Sequence, residues 1–257
     1  MIRLLRKVRL ESASQKRLGK YLLYAIGEII LVVIGILIAL AINNANQNRQ
    51  LAQKERTYLL GLQNEFQTSK RKLEELIRVN RENLNGARQL LIISDAEQIP
   101  EDSVISIYLY ATFANDITYN PNTSILTEMI NTGSLKDISN DSLRMSLTMW
   151  IATLDDVVKQ ENDLRQQREK VLDMLRSEEY SIRTVMDQAG ITDGTLGIKP
   201  ADHHATNVPL LHSREFENNL LMFISATYQT ETAHYNPLMN ELEQILASIE
   251  SQLNSFM

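Results

Sequence analysis

Apolar residues are distributed very unevenly along the chain. Tyr21 to Ile42 reads YLLYAIGEIILVVIGILIALAI, apolar on every side with a single charge, Glu28. At about 1.5 Å per residue this stretch extends about 33 Å, enough for a hydrocarbon core of about 30 Å. The pattern predicts a transmembrane helix over 21–42. Helical periodicity then continues. Leu59, Leu62, Phe66, Ser69, Leu73, Leu76 and Asn80 alternate three- and four-residue steps, a heptad register with Ser69 and Asn80 as polar guests. No Pro occurs between Asn43 and Ser94, so a long helix of about 45 residues is expected to leave the span. Gly61 and Gly86 argue against its being unbroken.

Shorter elements follow. Asp95 to Asp102 (DAEQIPED) reads as a loop, and Val104 to Phe113 as a short apolar helix. Asn120-Pro121-Asn122-Thr123 reads as a turn and helix start, with Gly133 at the end of that helix. Asn140 or Asp141 caps the next helix. From Ser142 to Arg183 there is no Gly or Pro, and Leu143, Leu147, Trp150, Leu154, Val157, Leu164, Val171 and Leu175 form a stripe. Glu161 and Arg168 interrupt it. They either pair with charges on a facing helix or mark a partly solvated end. Gln188 to His212, with three Gly and two Pro, reads as an irregular loop. Two helices close the chain, the second with Asn236 as cap and Pro237 at its first position.

The fold class is therefore all-α. One N-terminal transmembrane helix continues into a long helix, with a periplasmic helical-bundle domain built from residues 43–257. Three heptads do not decide whether the long helices fold back antiparallel or associate between chains.

Charge orients the span. Residues 1–20 carry seven basic groups, Arg3, Arg6, Lys7, Arg9, Lys16, Arg17 and Lys20, and one acid, Glu11. Asn43 to Gln53 has only Arg49. The positive-inside rule keeps the N-terminus in the cytoplasm of a bacterial inner membrane and sends residues 43–257 into the periplasm. Ala39-Leu40-Ala41 fits a cleavage pattern, but the apolar stretch exceeds the 7–15 residues of a signal peptide core, so an uncleaved signal anchor is expected. The basic segment suits contact with an anionic inner leaflet, or serves only to set topology. Beyond Ile42 there are 30 acids against 19 basic residues, a net charge of −11 within a whole-chain value of −6. That balance argues against nucleic-acid binding.

A carboxylate inside a span is costly and calls for a reason. On a wheel of about 100° per residue, Tyr21, Tyr24, Gly35, Ala39, Asn43 and Asn46 all fall within about 60° of Glu28. Gly35-xxx-Ala39 is a small-xxx-small step that lets backbones approach. The stripe points to self-association or to a membrane-protein partner. An acid solvated at the membrane edge and a proton-carrying acid of an ion-driven complex are the competing readings.

Little else in the sequence carries chemistry. There is no cysteine, which excludes disulfides, thiolate metal sites and Cys catalysis. Asp202-His203-His204 with His212 nearby matches no strong metal motif. Nucleophile elbows, phosphate loops and dinucleotide fingerprints are missing. No enzyme activity, metal or cofactor is expected.

Lys20 to Asn46, KYLLYAIGEIILVVIGILIALAINNAN, resembles the N-terminal signature of an uncharacterised Bacteroidota-type membrane protein family, domain of unknown function 6090. Ala45 stands where the family usually has Trp, and Ala41 where Gln is common. A looser resemblance extends to Asn120–Gly133. It implies an inner-membrane location with a periplasmic helical domain, and it implies no activity.

Overall fold

The structure, a computed structural model, describes residues 18–256. Its first helix, α1, runs from Leu18 to Ser94, 77 residues without interruption. Gly61 and Gly86 do not break it, and the reason is packing. A Cβ on Gly61 would lie 2.6 Å from Ile125 Cδ1, and one on Gly86 would lie 2.3 Å from Thr112 Oγ1. These glycines sit where another element approaches the helix backbone.

The chain divides into two units, Met1–Arg56 and Thr57–Met257. In the first, every described apolar side chain from Tyr21 to Ile42 is exposed except half-buried Ala25. The α1 helix is apolar and long enough to cross a membrane.

The second unit holds the remainder of α1 and eight further α-helices among the described residues. These are α2 (Asp102–Phe113), α3 (Ser124–Asn131), α4 (Asp141–Leu175), α5 (Ile182–Gln188), α6 (Ile191–Gly194), α7 (Val208–Leu211), α8 (Arg214–Gln229) and α9 (Asn236–Asn254). A 3₁₀ turn (Ser134–Asp137) follows α3, and a π-helical segment (Thr230–Tyr235) joins α8 to α9. No strand occurs among the described residues.

Hydrogen bonds fix the directions. Along α4, Met174 meets Asn219, Gln160 meets Thr230, and Ser139 just before the helix meets Gln252. Along α1, Asn80 donates to the Thr227 carbonyl (3.1 Å) and Lys70 pairs with Glu243 (2.7 Å). The α8–α9 rod thus runs antiparallel to both, and the long helices fold back within one chain. The seam predicted on α1 is the one buried. Leu59, Leu62, Phe66, Ser69, Leu73 and Asn80 are inside, and Phe66 meets Trp150 with ring centroids 5.2 Å apart. With each large apolar side chain contributing about 1.5–3 kcal/mol on full burial, helix packing serves where disulfides are absent.

Local signals act largely as the sequence predicts. Asn140 caps α4, its side chain accepting from Leu143 N–H (3.1 Å). Gly133 takes φ +68° beyond α3, a left-handed position that favours glycine. The irregular stretch after α5 contains two one-turn helices, α6 and α7.

The closing pair differs from expectation. Asn236 is helical (φ −67°, ψ −45°) and caps nothing. A Pro inside an α-helix lacks its N–H and crowds the carbonyl four residues back. For Pro237 that residue is Ala233, inside the π segment. The wider turn absorbs the Pro, and the rod continues instead of restarting.

Candidate functional site

Two places carry polar chemistry. The first is the α1 stripe. Tyr21, Tyr24, Glu28, Gly35, Ala39, Asn43 and Asn46 lie on one uninterrupted helix, and all are exposed. A Cβ on Gly35 would meet nothing within 4 Å. On a continuous α-helix these residues fall within about 60° of Glu28 around the axis. Arg3, Arg6, Lys7, Arg9, Lys16 and Arg17, predicted to touch the inner leaflet, lie outside the described residues, as does the Lys20 side chain.

The second is a buried polar clasp around residues 115–123, the strap between α2 and α3. Ser69, the polar guest of the α1 seam, accepts from Asn122 N–H (2.9 Å). Its backbone carbonyl accepts from the Tyr119 hydroxyl (3.1 Å). Lys72 donates to the Asn120 carbonyl (2.8 Å) and to Asn122 Oδ1 (2.7 Å). On the other side Glu161 of α4 accepts two bonds on one oxygen, from Tyr119 N–H (2.8 Å) and from the Tyr235 hydroxyl of the π segment (2.7 Å). Arg165 holds Asp116 (2.9 Å) and Thr118 (2.7 Å).

A second carboxylate caps α3 from a distance. Thr123 forms no side-chain cap. Glu65 of α1 accepts from Ile125 N–H (2.7 Å) and Leu126 N–H (3.2 Å) instead. An anion at a helix N-terminus meets unpaired amides and the positive end of the helix dipole. Burial raises the pKa of Glu65, and the backbone hydrogen bonds oppose it. Burial also raises Glu161, against the bonds from Tyr235 and Tyr119. Both phenols are pushed up, first by burial. Each carboxylate thus works as an acceptor for the strap and its neighbours.

Of the two breaks in the α4 stripe, neither pairs with a charge on a facing helix. Glu161 takes the donors above, and Arg168 donates to the Phe113 carbonyl and to its neighbour Glu169. Sequence reading marked Ser69 and Glu161 as irregular but missed Glu65, whose acceptor role depends on amides 60 residues away. The available signal was Ser69, a polar residue in an apolar seam.

The Asp202-His203-His204 cluster does not converge on one point. His204 Nε2 lies 3.1 Å from Asp187, and Asp202 pairs with Lys199 (3.0 Å). Among the described residues no group of three His, Asp or Glu is placed to hold a metal ion.

Residues 28–178 match a Family of unknown function (DUF6090), more than half of the chain, and the chain belongs to that family. The matched stretch begins at Glu28 and takes in the strap, Glu65, Glu161 and all of α4. The KYLLYAIG residues 20–27 and the helices from α5 onward lie outside it. No curated protein and no solved structure matches the chain.

Proposed function

We propose, for a chain whose family has no assigned function, that it is a single-pass protein of a Bacteroidota-type inner membrane. Its N-terminus lies in the cytoplasm and residues 43–257 in the periplasm. It works without catalysis, as a scaffolding or interaction module joined to a second copy or a membrane-protein partner through the Glu28/Gly35/Ala39 stripe. One observation carries this reading. The large apolar side chains of 21–42 are uncovered, from 47% exposed at Val33 to 80% at Tyr24. A surface of that kind requires lipid or another protein over it. Within lipid, apolar faces have no reason to prefer each other over acyl chains. Close backbone approach at small residues and polar groups at depth then decide association.

The test is the oligomeric mass of the full chain by native mass spectrometry in mild detergent. Gly35→Ile and Glu28→Leu are each expected to lower it while membrane insertion persists. Unchanged mass in both variants overturns the stripe. A second reading, an accessory subunit of an ion-driven complex with Glu28 carrying protons, draws on Glu28 being the one acid of the stretch. It predicts a co-purifying multi-span partner whose activity is lost in Glu28→Gln.

A further inference from the structure

A cavity of about 400 Å³ lies between α2, the C-terminal half of α4, α5 and residues 191–196. Its walls are mostly apolar, with Leu109, Phe113, Leu172, Val185, Ile191 and Leu196 prominent. The two charged side chains in the lining are both basic, Arg168 and Arg176. Arg176 is held by Glu169 and Asp173 (2.8 Å each), neither of which lines the cavity. Arg168 is only 14% exposed, and its guanidinium is incompletely used. One Nη donates to the Phe113 carbonyl and the other to Glu169, while the buried Nε–H has no acceptor. Buried N–H groups are almost always paired, so an open one beside a cavity asks for an acceptor.

The mouth has its own construction. Gly190 (φ +73°) and Gly197 (φ +64°) bracket residues 191–196 in conformations that favour glycine. Leu196 lines the cavity yet is 51% exposed, which marks it as the rim.

We propose that this cavity binds one straight-chain aliphatic carboxylate, its chain among the apolar walls and a carboxylate oxygen on Arg168. The volume lies near the low end of small-molecule sites, about 300–1,000 Å³, which suits one chain and not a two-chain lipid. The unpaired Nε–H of Arg168 is buried beside the cavity, and a guanidinium edge meets a carboxylate through charge-assisted hydrogen bonds. Both arginines are ion-paired with acids outside the lining, so the unpaired Nε–H of Arg168, not net charge, directs the carboxylate.

The experiment uses the full chain in lipid nanodiscs and dodecanoate carrying a terminal diazirine, with adducts mapped after irradiation by peptide mass spectrometry. Adducts are expected on peptides bearing 109–113, 172–185 and 191–196. Excess dodecanoate should displace them, and dodecanol at the same concentration should not. Leu196→Trp, at an exposed position that leaves the core intact, should cut them at least tenfold. Arg168→Met should erase the preference for dodecanoate over dodecanol. Adducts confined to the 21–42 peptides, or cavity adducts unchanged in Leu196→Trp, overturn the site. Equal displacement by dodecanol in the unmodified protein overturns the carboxylate.

Discussion

At Glu161 one oxygen serves two donors on two different elements, Tyr119 N–H on the strap and the Tyr235 hydroxyl on the π segment. Removing the acceptor orphans both, and removing only the charge does not. Glu161→Leu is therefore expected to destabilise by about 2–5 kcal/mol, from two buried donors left unpaired. Glu161→Gln keeps an acceptor oxygen and loses the desolvation of the anion, so it should hold or raise stability at pH 7. Because the folded carboxyl sits above its ordinary 4.5, the folded state binds the proton more tightly. Its stabilising contribution is complete below pH 4.5 and fades as pH rises through the folded value. Asp187 has the opposite sign. Burial raises it, but the Thr192 hydroxyl, the Ala201 amide, Arg183 and His204 overcome that and hold it at about 2. Its contribution is present above its ordinary 3.8 and fades as pH falls toward 2. Urea titrations followed by the emission of Trp150, the one Trp and fully buried, check both. Loss of stability in Glu161→Gln matching that of Glu161→Leu would show that the charge itself is required.

At the scale of elements, Gly86 separates propensity from packing. Ala in place of Gly within a helix ordinarily gains about 1 kcal/mol. Here the new Cβ would stand 2.3 Å from Thr112 Oγ1 and 3.4 Å from Thr112 Cβ, a stiff β-branched neighbour. Gly86→Ala is expected to cost about 1–3 kcal/mol net, and Thr112→Ala in the same chain should recover most of it. Gly61→Ala meets the mobile tip of Ile125 at 2.6 Å and should be near neutral. Equal effects at the two glycines, read by the same urea titration, would refute this contrast. The pair also shows what the sequence holds and what it does not. Periodicity marks the buried seam of α1, because Leu59, Leu62, Phe66 and Leu73 report a face through local spacing alone. The meaning of Gly86 depends on a residue 26 positions away, and the role of Glu65 on amides 60 positions away. Local spacing cannot encode either. Pro237 misleads for a related reason. A proline ordinarily stops or starts a helix, and the π segment before it removes the conflict.

For the whole molecule, the opposed charges of its parts become a physical claim about topology. Seven basic groups precede Tyr21, one follows Ile42 before Lys54, and the stretch between carries a single acid. The apolar stretch is legible because nothing in a water-soluble core needs 22 residues uncovered on all sides. In a chain that inserts, basic residues near the span ends set the orientation, so the sequence carries it as a bias. The absence of native Cys allows that bias to be measured. Ser255 is exposed at the end of α9, so Ser255→Cys gives one thiol in the entire chain. In cells with a permeabilised outer membrane, a membrane-impermeant maleimide is expected to label it fully. Replacing Arg3, Arg6, Lys7 and Arg9 with Gln, together with Asn44→Lys, Gln47→Lys and Gln50→Lys, reverses the balance across the span. That variant should be protected until the inner membrane is opened. If the thiol of the otherwise native chain is the protected one, the periplasmic placement fails. Labelling unchanged by the charge reversal would mean that the translocated region, not the basic N-terminus, sets the orientation.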